Sequence, residues 1–453
     1  MSVAVRSAPG RRAERAAPSR LGAWILLAML LVLVAVALPE LGAGQRPFRP
    51  AAVEPQGLLA PLVRAAGREW DVGIARAAAF VAALLAGGAA LYLFRRRTLS
   101  ARAAAALVLS VGALLLVPST FLGLGLRQST EPWFFTNDST YQIELGGDLL
   151  LDGEDPYGHD YRRSGLERFY TFDGSVSEQV REREVALRHF AYFPGTIVTA
   201  AAWRALPAPF DDYRAFVLLC TLAAFFAVMA FRAPLEWRLA IAAVLVVNPI
   251  AIRSAWFGQN DAPSLLLLVA AFALFTRERY SWAAASLAGA VLMKQFALVA
   301  LPFLAVMMVR RGVPWKRPAL VFAGMLAAAI LPFFLWDPGA FWDDTVKYGA
   351  GTYRIVGYGL SAILVRLGVI EDRDGAYPFA LIALLTWLPL TTWLLLTQAR
   401  SRELWLGAAG FAVSLLWLMF IGRTFNNYYL VWPMTAALIG VALASARTGS
   451  PDP

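Results

Sequence analysis

Residues 319–336 read ALVFAGMLAAAILPFFLW, a run without a charged side chain, preceded by Lys316-Arg317 and closed by Asp337. A membrane-crossing helix needs about 20 mostly apolar residues, with about 17 as the usual lower limit. The stretch therefore predicts one span, and its basic flank predicts that this end faces the cytoplasm. Outward from it, similar runs occupy about 21–39, 74–94, 102–124, 211–231, 377–397, 404–421 and 428–446. Four shorter runs, near 238–252, 262–276, 281–293 and 295–309, can span if their polar ends lie among headgroups or face a cavity.

Composition points the same way. A chain of 453 residues would suggest roughly three soluble domains, yet 59% of it is hydrophobic and only 16% charged, too little polar material to coat them. The long apolar runs and 13% aromatics equally exclude a disordered chain. The net charge of +10 sits in short blocks at the ends of apolar runs, such as Arg95-Arg96-Arg97, Arg310-Arg311 and Arg400 with Arg402. No basic stripe is interleaved with aromatics, so nucleic acid is not an expected partner. The one cysteine, Cys220, lies in an apolar run and reads as core filler. His159 and His189 are the only histidines, and no zinc-type spacing accompanies them.

The basic blocks predict an all-α polytopic membrane protein of about twelve spans with both termini in the cytoplasm. Residues 1–20 form a basic cytoplasmic tail and 447–453 a second one. Residues 21–101 are a two-span extension, whose first run is too long for a signal-peptide core and reads as an uncleaved anchor. Leu126 to Tyr192 is then extracytoplasmic, with 13 acidic and 7 basic residues. Phe193 to Leu206, closed by Pro207 and Pro209, is too short to span and reads as an interfacial helix with Trp203 and Arg204 at headgroup level. Gly146 to Gly153 is amphipathic and reads as a surface helix, on which Asp148 and Asp152 stand one turn apart as like charges. On this map the inner segments carry 20 basic and 5 acidic residues and the outer ones 21 and 26, the asymmetry that orientation demands. No internal repeat is visible, which counts against the duplicated architecture of many transporters.

The same map gathers the uncommon polar residues on the outer side. They are Asn137-Asp138-Ser139, His189 with Tyr192, Gln259-Asn260-Asp261, Lys294, the stretch from Trp336-Asp337-Pro338 to Tyr353-Arg354, and Arg423 with Asn426-Asn427. Acid, base and amide groups brought by separate loops to one face suit chemistry on a lipid-linked substrate. Transporters usually hold such groups at the bilayer midplane. Asp138 follows Trp133-Phe134-Phe135 and is either a solvated loop aspartate or a general base held near the headgroup plane. Lys294 interrupts an apolar sequence, so its ammonium either snorkels or meets an anion such as a lipid phosphate. Arg423 poses the same choice with a planar fork suited to phosphate oxygens. Asp261 precedes Ala262-Pro263 and reads as a helix N-cap, a role compatible with lining the site.

In order and spacing, four pieces resemble the GT-C glycosyltransferases that use polyprenyl-phosphate sugars, and among them glycosyltransferase family 87, which includes polyprenyl-phosphomannose-dependent mannosyltransferases. The pieces are Asn137-Asp138 followed by residues 152–157 (DGEDPY), residues 189–195 (HFAYFPG), residues 258–261 (GQND) opening a span, and Gly289 to Lys294 with Pro302 beyond. The likeness covers about 102–446, which would be the catalytic transmembrane bundle, with 126–192 as its catalytic loop.

The resemblance implies an inverting transfer, most simply of mannose, from a polyprenyl-phosphate donor to a glycolipid or lipid-linked glycan acceptor on the outer face of a bacterial plasma membrane. Asp138 would be the general base and Lys294 with Arg423 would bind the donor phosphate. His189, Tyr192, Gln259, Asn260, Asp261, Tyr353, Arg354 and Asn426 would contact substrate. No cofactor is expected. Many relatives carry two adjacent acids in this loop; here Asn137 stands beside Asp138, which favours a single-base scheme over a metal-dependent one, a metal held by Asp148 and Asp152 staying open as the lesser alternative. Two alternatives stay open: an arabinofuranosyltransferase of the same type, and a transporter or flippase for lipid-linked glycans.

Overall fold

The computed structural model describes residues 51–52, 57–66, scattered positions from 106 to 131, and 136–171, 176–248, 250–251, 258–352, 354–401 and 403–446. The spans expected at 21–39 and 74–94, the two tails, and Tyr353 lie outside the described residues. What is described is overwhelmingly helical. In chain order the helices used below are α1 (Asp138–Asp152), α2 (Pro194–Arg204), α3 (Tyr213–Met229), α4 (Leu235–Val247), α5 (Asp261–Thr276), α6 (Tyr280–Met293), α7 (Ala300–Arg310), α8 (Lys316–Trp336), α9 (Phe379–Arg400), α10 (Trp405–Ile421) and α11 (Val431–Ser445).

Among the described residues, three helices are long and apolar enough to cross a membrane: α8, α9, and α11 with the 3-10 turn that leads into it, together Asn427–Ser445. Five shorter apolar helices fall on expected runs: α3, α5, α6, α10, and Gln295–Arg310, which joins a 3-10 turn to α7. The exposed faces of α8 and α9 are apolar, with Leu320 74% and Leu385 64% exposed. Such faces suit hydrocarbon and would be unfavourable in water.

Between apolar helices in lipid, close packing and hydrogen bonds replace the hydrophobic effect as the cohesive force. The pair α5 and α6 shows both. Small residues line α6 (Ala283, Ala288, Gly289, Ala290), and Ser264 Oγ donates to Ala290 O at 2.7 Å while Ser286 Oγ donates to Leu267 O at 2.8 Å. Cys220 is buried, as expected for core filler.

The elements from Asn137 to Arg204 differ in one respect from the reading of the sequence. The amphipathic spacing marked a helix only over 146–153, but α1 begins at Asp138. Asn137 caps it, its Oδ1 accepting from Thr140 N at 2.8 Å and Ser139 Oγ at 2.7 Å, and Gly153 (φ 78°) ends it. The Asn-Asp-Ser sequence is an N-terminal signal, cap followed by first-turn acid, ahead of a helix too buried at its start to show an amphipathic period. Asp148 is not left beside Asp152 as an unrelieved like charge: Arg204 Nε reaches its Oδ1 at 2.8 Å.

The short run after Tyr192 does form a helix, α2, laid across α1. Ile197, Ala200 and Ala201 are buried in that contact, and Arg204 pairs with Asp148 and Asp211. The crossing is close because Gly147 has no side chain: a Cβ there would stand 2.8 Å from Ala201 N. Gly147→Leu is therefore expected to push α1 and α2 apart at a cost of about 1–3 kcal/mol. Thermal unfolding in detergent should read this as a clear drop in midpoint.

Candidate active site

α1 carries Asp138 at its first turn, and the pieces singled out in the sequence converge on this helix. Thr140 Oγ1 donates to Gly258 O. Gln142 Nε2 donates to His189 O at 2.7 Å. Tyr157 OH donates to Tyr192 O at 2.8 Å, and Gln295 Nε2 to Ala191 O at 2.9 Å. Gly195, at the start of α2, abuts the backbone of Leu292, where a Cβ would meet the carbonyl oxygen at 2.7 Å. Segments near 138, 157, 189–195, 258 and 292 thus form one packed unit.

Asp138 is partly buried. Its Oδ1 accepts from Ser139 N at 2.9 Å, and Tyr170 OH lies 3.4 Å from Oδ2. Burial pushes its carboxyl above the ordinary carboxylate range, against the opposing pull of those two donors and of Lys294. Lys294 is thus within electrostatic reach of Asp138.

Lys294 neither snorkels nor stands alone. It is 8% exposed, between α6 and the 3-10 turn, and its Nζ bonds Asp261 Oδ1 at 2.7 Å and Asn260 Oδ1 at 3.2 Å. The rings of Phe296 and Tyr429 lie 5.8 and 5.7 Å from the ammonium. Asp261 is not an N-cap, because it is the first residue of α5 and its Oδ1 is taken by Lys294 and by Trp432 Nε1 at 2.8 Å. The demand of a buried ammonium for a counter-charge outweighs the smaller gain from capping a helix. Asn260 occupies the cap position, but its Oδ1 faces Lys294. Since Nζ can only donate, that contact fixes the amide orientation, and among the described residues Nδ2 is buried without a partner. Gln259 is buried beside them.

The remaining sequence candidates frame this centre. Asn426 precedes the turn Asn427–Leu430, and its Nδ2 donates to Tyr428 OH at 3.2 Å. Tyr429 in that turn feels both Asp261 and Asp138. Arg423 is buried, donates to Gly375 O at 3.2 Å and lies near Asp374. Val356–Gly357 pairs in parallel with Thr424–Phe425, tying the loop of Arg354 to that of Arg423. Arg354 is exposed and approaches Asp374 at 3.5 Å. Glu184 feels Arg354, Asp374 and Asp138, and burial pushes its carboxyl upward. The arrangement therefore sets a carboxylate with raised proton affinity on one side and a buried, paired ammonium on the other, with Arg354 and Arg423 along one edge. Among the described residues no group of three or more His, Cys, Asp or Glu side chains is placed to hold a metal ion.

Several participants were not found from the sequence. Asp344, 1% exposed, bonds His189 Nδ1 at 2.7 Å. Trp432 and Tyr429, at the start of the apolar run 428–446, are two more. Beneath α1, Arg127 bonds Glu144 at 2.9 and 2.5 Å and Asp212 at 2.7 Å, while Arg214 bonds Asp212 at 2.7 Å and Gly123 O at 3.0 Å.

No family model, curated protein or solved structure matches the chain.

Proposed function

We propose that the protein is an inverting membrane glycosyltransferase, moving a sugar from a polyprenyl-phosphate donor to a glycolipid or lipid-linked glycan acceptor at the outer face of a twelve-span bundle. The observation that carries this reading is the approach of Asp138, at the head of α1, to the bonded cluster of Lys294, Asn260 and Asp261, which Thr140 ties to that helix through Gly258 O, beside apolar helices. In the reaction the acceptor oxygen attacks the anomeric carbon, the bond from that carbon to the phosphate oxygen breaks, and the acceptor proton passes to Asp138. A carboxylate of raised proton affinity, partly withdrawn from water, is suited to that step. Lys294 and Arg423 face the charge that develops on the departing lipid phosphate. Lys294 does so as half of a neutral pair, so its contribution lies in directed N–H donors more than in net charge. Asn260 Nδ2 supplies a further donor for a substrate oxygen. Mannose is the sugar proposed, through the resemblance described above.

Purified protein in lipid vesicles, given radiolabelled polyprenyl-phosphate mannose and, separately, its arabinose counterpart, should consume the mannosyl donor and release polyprenyl phosphate. Failure to consume either donor overturns the assignment. Because the base must be ionised, kcat/KM should rise with pH through the raised value of Asp138, placing the acid limb above the ordinary carboxylate pKa of about 4. An acid limb at or below that value would show that another group carries the proton.

A further inference from the structure

One buried carboxylate beside this centre has no part in the scheme above. Asp344 lies in the π-helical segment Asp343–Thr352, and both of its oxygens are engaged. Oδ2 accepts from Gly158 N at 2.8 Å and Phe190 N at 3.1 Å, fastening two loops to that segment. Oδ1 faces His189 Nδ1 at 2.7 Å. A carboxylate oxygen accepts, so Nδ1 is the donor of this contact, and in the Nδ1–H tautomer the lone pair of the ring falls on Nε2. Tyr348 covers one face of the ring, with centroids 4.6 Å apart and planes at 20°. The histidine side chain is still 24% exposed, and no bond from a described residue reaches Nε2.

The backbone of His189 is held close to the helix that carries Asp138. Gln142, which holds the carbonyl of His189, is one helical turn beyond Asp138, about 6 Å along the axis of α1. The fixed charge on this side is negative. Asp344 is next to the ring, and Asp155, which burial pushes up, feels both Asp337 and Asp344. Lys347 in the same segment is taken by Asp343 at 2.6 Å. A phosphate is disfavoured there, whereas an uncharged polyol is not. Tyr192, whose backbone Tyr157 fixes, adds an aromatic ring of the kind that sugar rings pack against.

We infer that His189 Nε2 accepts a hydrogen bond from a non-reacting hydroxyl of the acceptor sugar, and that Asp344 is the positioning residue that fixes the imidazole tautomer. This rests on the transferase reading and assigns the two substrates to opposite sides of Asp138, the phosphorylated donor toward Lys294 and the uncharged acceptor sugar toward His189.

Two variants of the full-length protein test it, with octyl mannoside as acceptor probe and polyprenyl-phosphate mannose as donor. His189→Asn places an amide nitrogen where Nδ1 stood, keeping the bond to Asp344 while removing Nε2. Asp344→Asn keeps an oxygen for Gly158 and Phe190 but turns its NH2 toward Nδ1, driving the ring proton to Nε2. Each is expected to raise the KM for octyl mannoside about tenfold, with donor KM and unfolding midpoint unchanged. An unchanged acceptor KM in both variants, or an equal rise for the donor, overturns the inference. If the wild type transfers nothing, the transferase reading fails instead. Octyl mannoside binding by titration calorimetry then still reads the His189 contact, through about tenfold weaker binding in both variants.

Discussion

Asp138→Asn is expected to reduce sugar transfer by about 10²–10⁴-fold, the range a positioned general base contributes, while donor binding stays within a few-fold of wild type. Asn keeps the shape and can still accept from Ser139 N, so the first turn of α1 survives. The effect on stability has the opposite sense to that on activity. Burial raises the carboxyl of Asp138 in the folded protein. The stabilisation it gives is therefore complete below the unfolded-state value of about 4 and is lost as pH rises through the raised folded value. At pH 7–8 the ionised side chain is a burden that Asn removes, so the variant should unfold no earlier than wild type. Loss of turnover without loss of fold, with donor binding by filter retention unchanged, is the signature sought. A flippase, having no bond to make, would tolerate the change.

Breaking the charge network under α1 should have the largest effect on stability. Arg127, Glu144, Asp212 and Arg214 form a balanced set of two cations and two anions, with Arg214 fully buried and Glu144 1% exposed. Removing one member leaves an uncompensated buried charge, which costs about 3–5 kcal/mol. Arg214→Met should accordingly lower the unfolding midpoint in detergent sharply. Adding Asp212→Asn restores charge balance around Arg127 and Glu144, so the double variant should be more stable than the sum of the two single losses. Additive losses would mean that the four groups do not act as one network. The network joins α1 to the start of α3 and to Gly123, so its loss should also loosen the platform on which Asp138 stands.

The sequence made the helical runs legible because apolar length is a local property. It also drew attention to Asp138, Lys294, Asp261 and His189, polar residues placed at the ends of apolar runs. Their partners were illegible because the pairings are remote: Trp432 bonds Asp261 across 171 positions, and Asp344 bonds His189 across 155. No periodicity encodes such contacts. Lys294 shows the consequence. Read alone, it calls for an anion from outside the protein, but the fold supplies Asp261 at 2.7 Å. Asn137 went unread as a cap, although Asn-Asp-Ser is a helix-opening signal. The burial of Thr140, Tyr141, Ile143 and Glu144 erased the amphipathic pattern that would have extended α1 back to it.

The central claim, that Asp138 works from the outer side of the membrane, is tested most directly by labelling single cysteines in intact cells. In a Cys220→Ala background, cysteines at positions 138 and 152, the two ends of α1, should react with a membrane-impermeant maleimide added outside. One at position 312, beside Arg310-Arg311, should react only after permeabilisation. Protection of 138 and 152 together with labelling of 312 in intact cells would invert the orientation and contradict the account.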